Sequence, residues 1–156
     1  MPGVLDGIRV LDFGRYIAGP FCGMLLGDMG AEVIRIDKLA GSEDRYLVPV
    51  ADSGEGPLFL ALNRNKKSLT LNPMKPQGQK IVKELVKTAD IVIANLPQPT
   101  LEAMGIDYDS LKSIKPDIIL TNFDTTPNSE GIPAKFVSMT CLFFNLFLFR
   151  LRTQNL

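Results

Sequence analysis

The chain has 156 residues, seventeen basic and seventeen acidic side chains, and no histidine. That length suits one globular domain, and the 46% hydrophobic and 22% charged shares exclude wholesale disorder. A formal charge of zero removes any general attraction to nucleic acid or anionic lipid. The missing histidine excludes a serine–histidine–acid triad, a cysteine–histidine pair, histidine zinc ligands and imidazole proton transfer. Chemistry must therefore rest on carboxylates, lysine, hydroxyls, thiols or a bound cofactor.

In chain order, Ile8–Leu11 reads as a buried strand followed by a loop at Asp12–Tyr16. Gly19–Asp28 reads as a helix with Pro20 in its first turn, where a missing N–H costs little, and Gly30 ends it. Glu32–Ile36 is a second strand, Leu39–Pro57 a long surface loop rich in Gly, Ser, Asp and Pro, and Ser68–Leu71 a third strand. Pro76–Thr88 is an amphipathic helix with Ile81, Val82, Leu85 and Val86 on one face and Lys80, Lys83 and Lys87 on the other. Ile91–Ala94 is a fourth strand, Pro99–Met104 and Ser110–Ile114 are short helices, and Ile118–Thr121 is a fifth strand. This alternation predicts parallel βαβ units, a doubly wound α/β fold.

The pattern breaks after Asp124, which sets an organisation of 1–124 as the folded domain and 125–156 as a divergent or non-native tail. Val137–Phe149 is apolar over only about 13 residues, against the roughly 20 a membrane helix needs, so no membrane anchor is expected. The opening MPGVLDGIRV lacks a basic stretch before a long apolar run, so no secretory signal is expected. Cys22 and Cys141 follow no metal-ligand or redox spacing, which predicts free thiols, a cytoplasmic setting and no metal site.

Several residues are candidates for chemistry. The first strand–loop–helix unit, LDFGRYIAGPFCGMLLGDMG, offers backbone amides at a helix N-terminus, a suitable place for a phosphate, or simply a tight turn. It contains neither the dinucleotide glycine fingerprint nor a P-loop. Gly19, Gly23 and Gly27 recur every four residues and predict close backbone approach by a strand, a helix or a partner chain. Asp37 ends strand two where an acid can bind ribose hydroxyls, and Lys38 stands ready for a ribose phosphate. Arg64, Lys66 and Lys67 form a basic cluster that either approaches phosphates or is solvated, and Asn95 follows strand four at the ligand-binding edge of an open sheet.

The run LDGIRVLDFGRYIAGPFCGMLLGDMGAEVIRID resembles the opening of the family III CoA-transferases, the family of formyl-CoA and carnitine CoA-transferases and α-methylacyl-CoA racemases. The resemblance continues through PLFLALNRNKKSLTLNP and ADIVIANLPQPTLEAMGIDYDSLKSIKPDIIL, covering residues 4–121. It implies a truncated large Rossmann-like domain, a second domain beyond it, and a homodimer of interlocked chains. Coenzyme A is implied along the carboxyl edge of the sheet, against Tyr16, Ile17 and Ala18, then Lys38, Leu71, Asn95 and Leu96. Ala103 stands where some members have a basic residue and Asp124 where they have a small or basic one, so weak CoA binding is expected.

The implied reaction moves CoA from an acyl-CoA thioester to a carboxylic acid acceptor through an aspartyl-CoA intermediate. Residues 125–156 contain no aspartate, and the racemases' histidine is missing, so no catalytic residue is assigned and the chain alone is expected to be inactive. Two other readings stand beside this one. The chain is a non-catalytic CoA- or nucleotide-binding fragment that dimerises with a full-length homologue, or it is an NAD-dependent enzyme, which the absent fingerprint disfavours.

Overall fold

The computed structural model describes residues 3–122. The proposed tail at 125–156, with Asp124 and Cys141, lies outside the described residues. Five parallel strands form one sheet in the order β3-β2-β1-β4-β5: β1 Arg9–Asp12, β2 Glu32–Asp37, β3 Lys66–Thr70, β4 Ile91–Ala94 and β5 Ile119–Asn122. This is the doubly wound α/β order, with β1 central and the winding reversing between β1 and β4. Leu11 lies beside Ile34 on one side and Val92 on the other, so the first strand, read as buried, occupies the middle of the sheet.

Side chains alternate across this sheet, and its two faces differ chemically. On one face Leu11, Ile36 and Val92 pack with Val82 and Val86 of α3 (Pro76–Thr88), with Leu101 of α4 (Gln98–Met104) and with Leu111 of α5 (Tyr108–Ile114). Each fully buried leucine or valine here contributes about 1.5–3 kcal/mol. The opposite face meets α1 (Ala18–Asp28) and carries Asp12, Arg35 and Asp37, all buried. Gly105 in the left-handed region closes α4, and Asp107 caps α5 by accepting from the Ser110 amide, so the sequence GID ends one helix and starts the next.

The differences from the sequence reading are local. Ile81 is 47% exposed, and α3 buries Gly78, Val82 and Val86, because a Cβ on Gly78 would overlap the Asn72 carbonyl and the helix lies close to that loop. The stretch Leu39–Pro57 is not wholly irregular: Glu43–Tyr46 forms a 3₁₀ turn, and Pro57 opens α2 (Pro57–Leu62). A helix this short shows no readable period. β3 starts at Lys66, two residues earlier than expected, because Lys66 and Lys67 are polar residues inside the ladder. Among the described residues no helix is long and apolar enough to cross a membrane.

Candidate functional site

Ligands of open α/β sheets bind beyond the carboxyl ends of the strands where the winding reverses. Here that point lies between the loop after β1 and the residues after β4. The loop is unusually well held. The Gly14 amide donates to Asp12 Oδ1 at 2.8 Å, the Arg15 amide to Asn95 Oδ1 at 2.6 Å, and the Tyr16 amide to Asp44 Oδ2 at 3.1 Å. Asn95 Nδ2 in turn donates to the Arg15 carbonyl at 2.8 Å, and the buried Arg15 guanidinium donates back to the carbonyls of Phe13 and Gly14. Tyr16 is thereby kept at φ 61°, a left-handed conformation that costs a non-glycine residue about 1–2 kcal/mol.

The anion-site expectation is narrowed by this arrangement. The amides of Gly14, Arg15 and Tyr16 already have acceptors, so they do not face a phosphate. The first turn of α1 is different. The residue flanking it, Ile17, gives no side-chain cap, Pro20 has no N–H, and among the described residues the amides of Ala18 and Gly19 have no acceptor.

Beneath α1 the carboxylates that hold the loop are themselves held by buried cations. Lys66 Nζ lies 2.7 Å from Asp12 Oδ2, with both side chains at most 1% exposed, and also donates to the Pro20 carbonyl and to Asn63 Oδ1. Burial pulls the Lys66 ammonium below its ordinary pKa, opposed by the charge and hydrogen bond of Asp12. Asn63 Oδ1 also accepts from Arg35 at 2.8 Å, and Arg35 grips Asp44 through contacts of 2.9 and 3.0 Å. One continuous chain of polar contacts therefore runs from Asp12 to Asp44 and fastens both ends of the loop. Phe59 of α2 covers it, with the guanidinium groups of Arg35 and Arg45 over its ring.

The glycine stripe faces this chain. A Cβ on Gly23 would come within 2.8 Å of Asp12 Oδ2 and 3.2 Å of Lys66 Nζ, and one on Gly19 within 2.6 Å of Gly14 Cα. Of the alternatives left open by the sequence, the internal one holds: the stripe admits the sheet and its buried ion pair.

The residues singled out by the resemblance all flank the carboxyl edge. Tyr16 and Ile17 are 45% and 52% exposed, and Ala18 opens α1. Lys38 follows β2 and pairs with Glu43 at 2.8 Å. Leu71 follows β3 and Leu96 lies just beyond β4, both half-buried against the core. Asn95 joins the two sides of the crevice through Arg15.

Other candidates are placed differently. Asp37 is 3% exposed and engaged by Ser42, Arg45 and Arg35, so it offers no carboxylate to a ribose. Burial alone would raise its pKa, but the Ser42 hydroxyl and the arginines hold it below the usual carboxylate range. The basic cluster disperses: Arg64 pairs with Asp28, Lys67 with Glu32, and Lys66 is internal. Asp12, Asp37 and Asp44 are all buried, leaving Glu43 as the exposed acid beside Lys38. Burial, reinforced by the Asp12 charge, pushes the Cys22 thiol up to about 12 and removes its nucleophilicity. Sequence reasoning passed over Arg35, Asp44 and Asn63 and read Lys66 only as part of a basic cluster; the available signal was an arginine inside the apolar run EVIRID, which demands a buried partner.

Comparison with known proteins bears on what this edge serves. The model of CoA-transferase family III matches residues 5–130. A succinyl-CoA:glutarate CoA-transferase of Homo sapiens is 42% identical over 116 residues, covering 74% of this chain and 26% of that protein. A succinate–glutarate CoA-transferase of Agrobacterium fabrum is 37% identical over 132 residues, covering 78% of this chain and 33% of that protein. The crystal structure of a CAIB/BAIF family protein from Brucella suis superposes with a TM-score of 0.72 at 35% identity, covering 78% of this chain and 33% of that one. The chain thus spans between about a quarter and a third of the length of these relatives. With the family model matched from the first strand through the last, and relatives of this identity along the same stretch, the chain belongs to CoA-transferase family III.

Proposed function

We propose that this chain supplies the CoA-binding shelf for transfer of CoA between an acyl-CoA thioester and a carboxylic acid. The single observation carrying this reading is the loop Gly14–Tyr16, held rigidly across the winding reversal while Tyr16 and Ile17 stay exposed beside open amides of α1. The parts suit the ligand. Tyr16, Ile17, Leu71 and Leu96 offer apolar surface to the pantetheine arm, the first turn of α1 offers N–H groups to the diphosphate, and Lys38 offers a cation to the ribose phosphate. Ala18 and Asn95 complete the shelf. Preorganised contacts of this kind lower the entropy lost on binding.

In the reaction we assign, a carboxylate attacks the thioester carbonyl, forming a mixed anhydride and releasing CoA thiolate. The thiolate attacks the aspartyl carbonyl, forming aspartyl-CoA and freeing the first acid. The acceptor carboxylate then attacks that thioester, forming a second mixed anhydride and releasing CoA thiolate, and the thiolate attacks the new acyl carbonyl, giving the product thioester and freeing the aspartate carboxylate. The burial and engagement of Asp12, Asp37 and Asp44 support an attacking group other than these three. We further propose that the complete assembly is a homodimer acting in the cytoplasm.

The same burial of acids favours the second reading, in which the 156-residue chain binds CoA without turnover and pairs with a full-length homologue. Titration calorimetry with CoA and with NAD, followed by incubation with radiolabelled acyl-CoA and hydroxylamine trapping, tests both. Binding of CoA in preference to NAD, without a trapped acyl adduct, is expected. An adduct on this chain overturns the non-catalytic reading, and equal or stronger binding of NAD overturns the CoA shelf.

A further inference from the structure

The Asn95 side chain lies at the crevice, where its position alone would make it a ligand contact. Its hydrogen bonds give the side-chain amide a task inside the protein. Oδ1 is taken by the Arg15 amide at 2.6 Å and Nδ2 by the Arg15 carbonyl at 2.8 Å, so both ends of the amide group are engaged by one backbone residue. Next along the chain, the Tyr16 amide is held by Asp44, a residue 1% exposed that no ligand can reach. Asp44 comes from the segment after β2, the segment that also carries Lys38, and Arg35 fixes it through two contacts. Loop and segment are thus joined beneath their exposed faces. The fit is close: a Cβ on Gly19 would lie 3.1 Å from Asn95 Oδ1.

We propose that Asn95 and Asp44 are positioning residues: by engaging both polar groups of the Arg15–Tyr16 peptide they fix the loop from beneath, and they act on the ligand through the exposed Tyr16 and Ile17 side chains that this loop presents. The inference rests on the CoA-binding reading, and its consequences separate from it. Removing either anchor loosens the same loop, so the two losses overlap instead of multiplying.

The test uses the full chain with Asn95→Ala, Asp44→Asn and the double variant. Amide exchange at Arg15 and Tyr16 is followed by NMR without ligand, and CoA affinity by calorimetry well below the unfolding temperature. Asn95→Ala is expected to speed exchange at Arg15, Asp44→Asn at Tyr16, and each to weaken CoA by about tenfold, the scale on which supporting-shell losses are felt in metal sites. The double variant is expected to bind no more than marginally worse than the weaker single. Unchanged Arg15 exchange in Asn95→Ala, or a double variant weakened by the product of the two singles, overturns the proposal. If the wild type binds no CoA, the shelf reading fails, while the exchange rates still decide whether the anchors hold the loop. If Asp44→Asn does not fold, exchange and affinity in Asn95→Ala decide alone.

Discussion

Asn95 holds the peptide of Arg15 from both sides, accepting from its N–H and donating to its carbonyl, although eighty residues separate the two in sequence. The contact ties the end of β4 to the loop after β1 and fixes the width of the crevice between them. Tyr16 follows directly, at φ 61° and half-exposed. Tyr16→Gly removes the left-handed penalty and the aromatic surface together. Stability is expected to be unchanged or raised by up to about 1 kcal/mol, while CoA affinity falls. Urea denaturation alongside calorimetry checks both, and loss of stability would show that the ring packs more than it binds.

The glycines of α1 predict opposite results four residues apart. Gly23→Leu drives a side chain into Asp12 and Lys66 and is expected to cost about 1–3 kcal/mol through overpacking. At Gly27 an added Cβ meets Val33 at 3.5 Å and Asn65 at 3.6 Å, ordinary contact distances. Gly27→Ala is therefore expected to stabilise by about 0.5–1 kcal/mol through helix propensity. The two urea midpoints should move in opposite directions.

Adjacent lysines of β3 are equally unlike. Lys66→Met leaves Asp12 charged, buried and without its cation, and should cost about 3–5 kcal/mol. Lys67, 71% exposed and paired with Glu32, should be replaceable by methionine with no resolvable change in midpoint. An equally small change in both variants would place Asp12 in contact with water.

Acid should weaken the α1 face. Asp37 has a pKa below its ordinary value of 3.8, held there against burial by Ser42, Arg35 and Arg45. A depressed carboxylate contributes stability that is complete above its unfolded pKa and lost as pH falls through the folded one. Urea unfolding from about pH 6 to about pH 2 should show stability declining below about pH 4, with a shallower decline in Asp37→Asn. Equal slopes in both proteins would mean that other carboxylates carry the effect.

How much of this was legible in the sequence depended on which force set each feature. Apolar periodicity and chain punctuation are local, so α3 and β4 stand where they were read, Pro76–Thr88 and Ile91–Ala94. The carboxyl-edge position of Tyr16, Lys38 and Asn95 followed from strand order, since parallel winding places every post-strand loop on one side. The buried polar chain was not legible because its members come from four separated segments. Lys66 looked like a surface lysine until the fold brought Asp12 beneath the same helix, and Asp44 like a loop acid until Arg35 met it. Asp37 misled for the same reason: its position suited a ribose, but its neighbours could not be seen.

The polar layer under α1 also bears on how the chain avoids misfolding. Ion pairs taken out of water add little net stability, but they penalise wrong arrangements heavily. In β2, Val33, Arg35 and Asp37 face α1 while Ile34 and Ile36 face the apolar helices. A slip of one residue against β1 would turn Arg35 and Asp37 into that apolar layer and strand Asp12 and Asp44 without cations. Such a chain would carry several uncompensated charges and could not close its core. The same charges that contribute little to the native free energy thus discriminate against neighbouring pairings during folding, and a chain in which Arg35, Asp37, Asp44, Asp12 and Lys66 were all made apolar should lose uniqueness of strand alignment, besides leaving the Gly14 and Tyr16 amides without their acceptors.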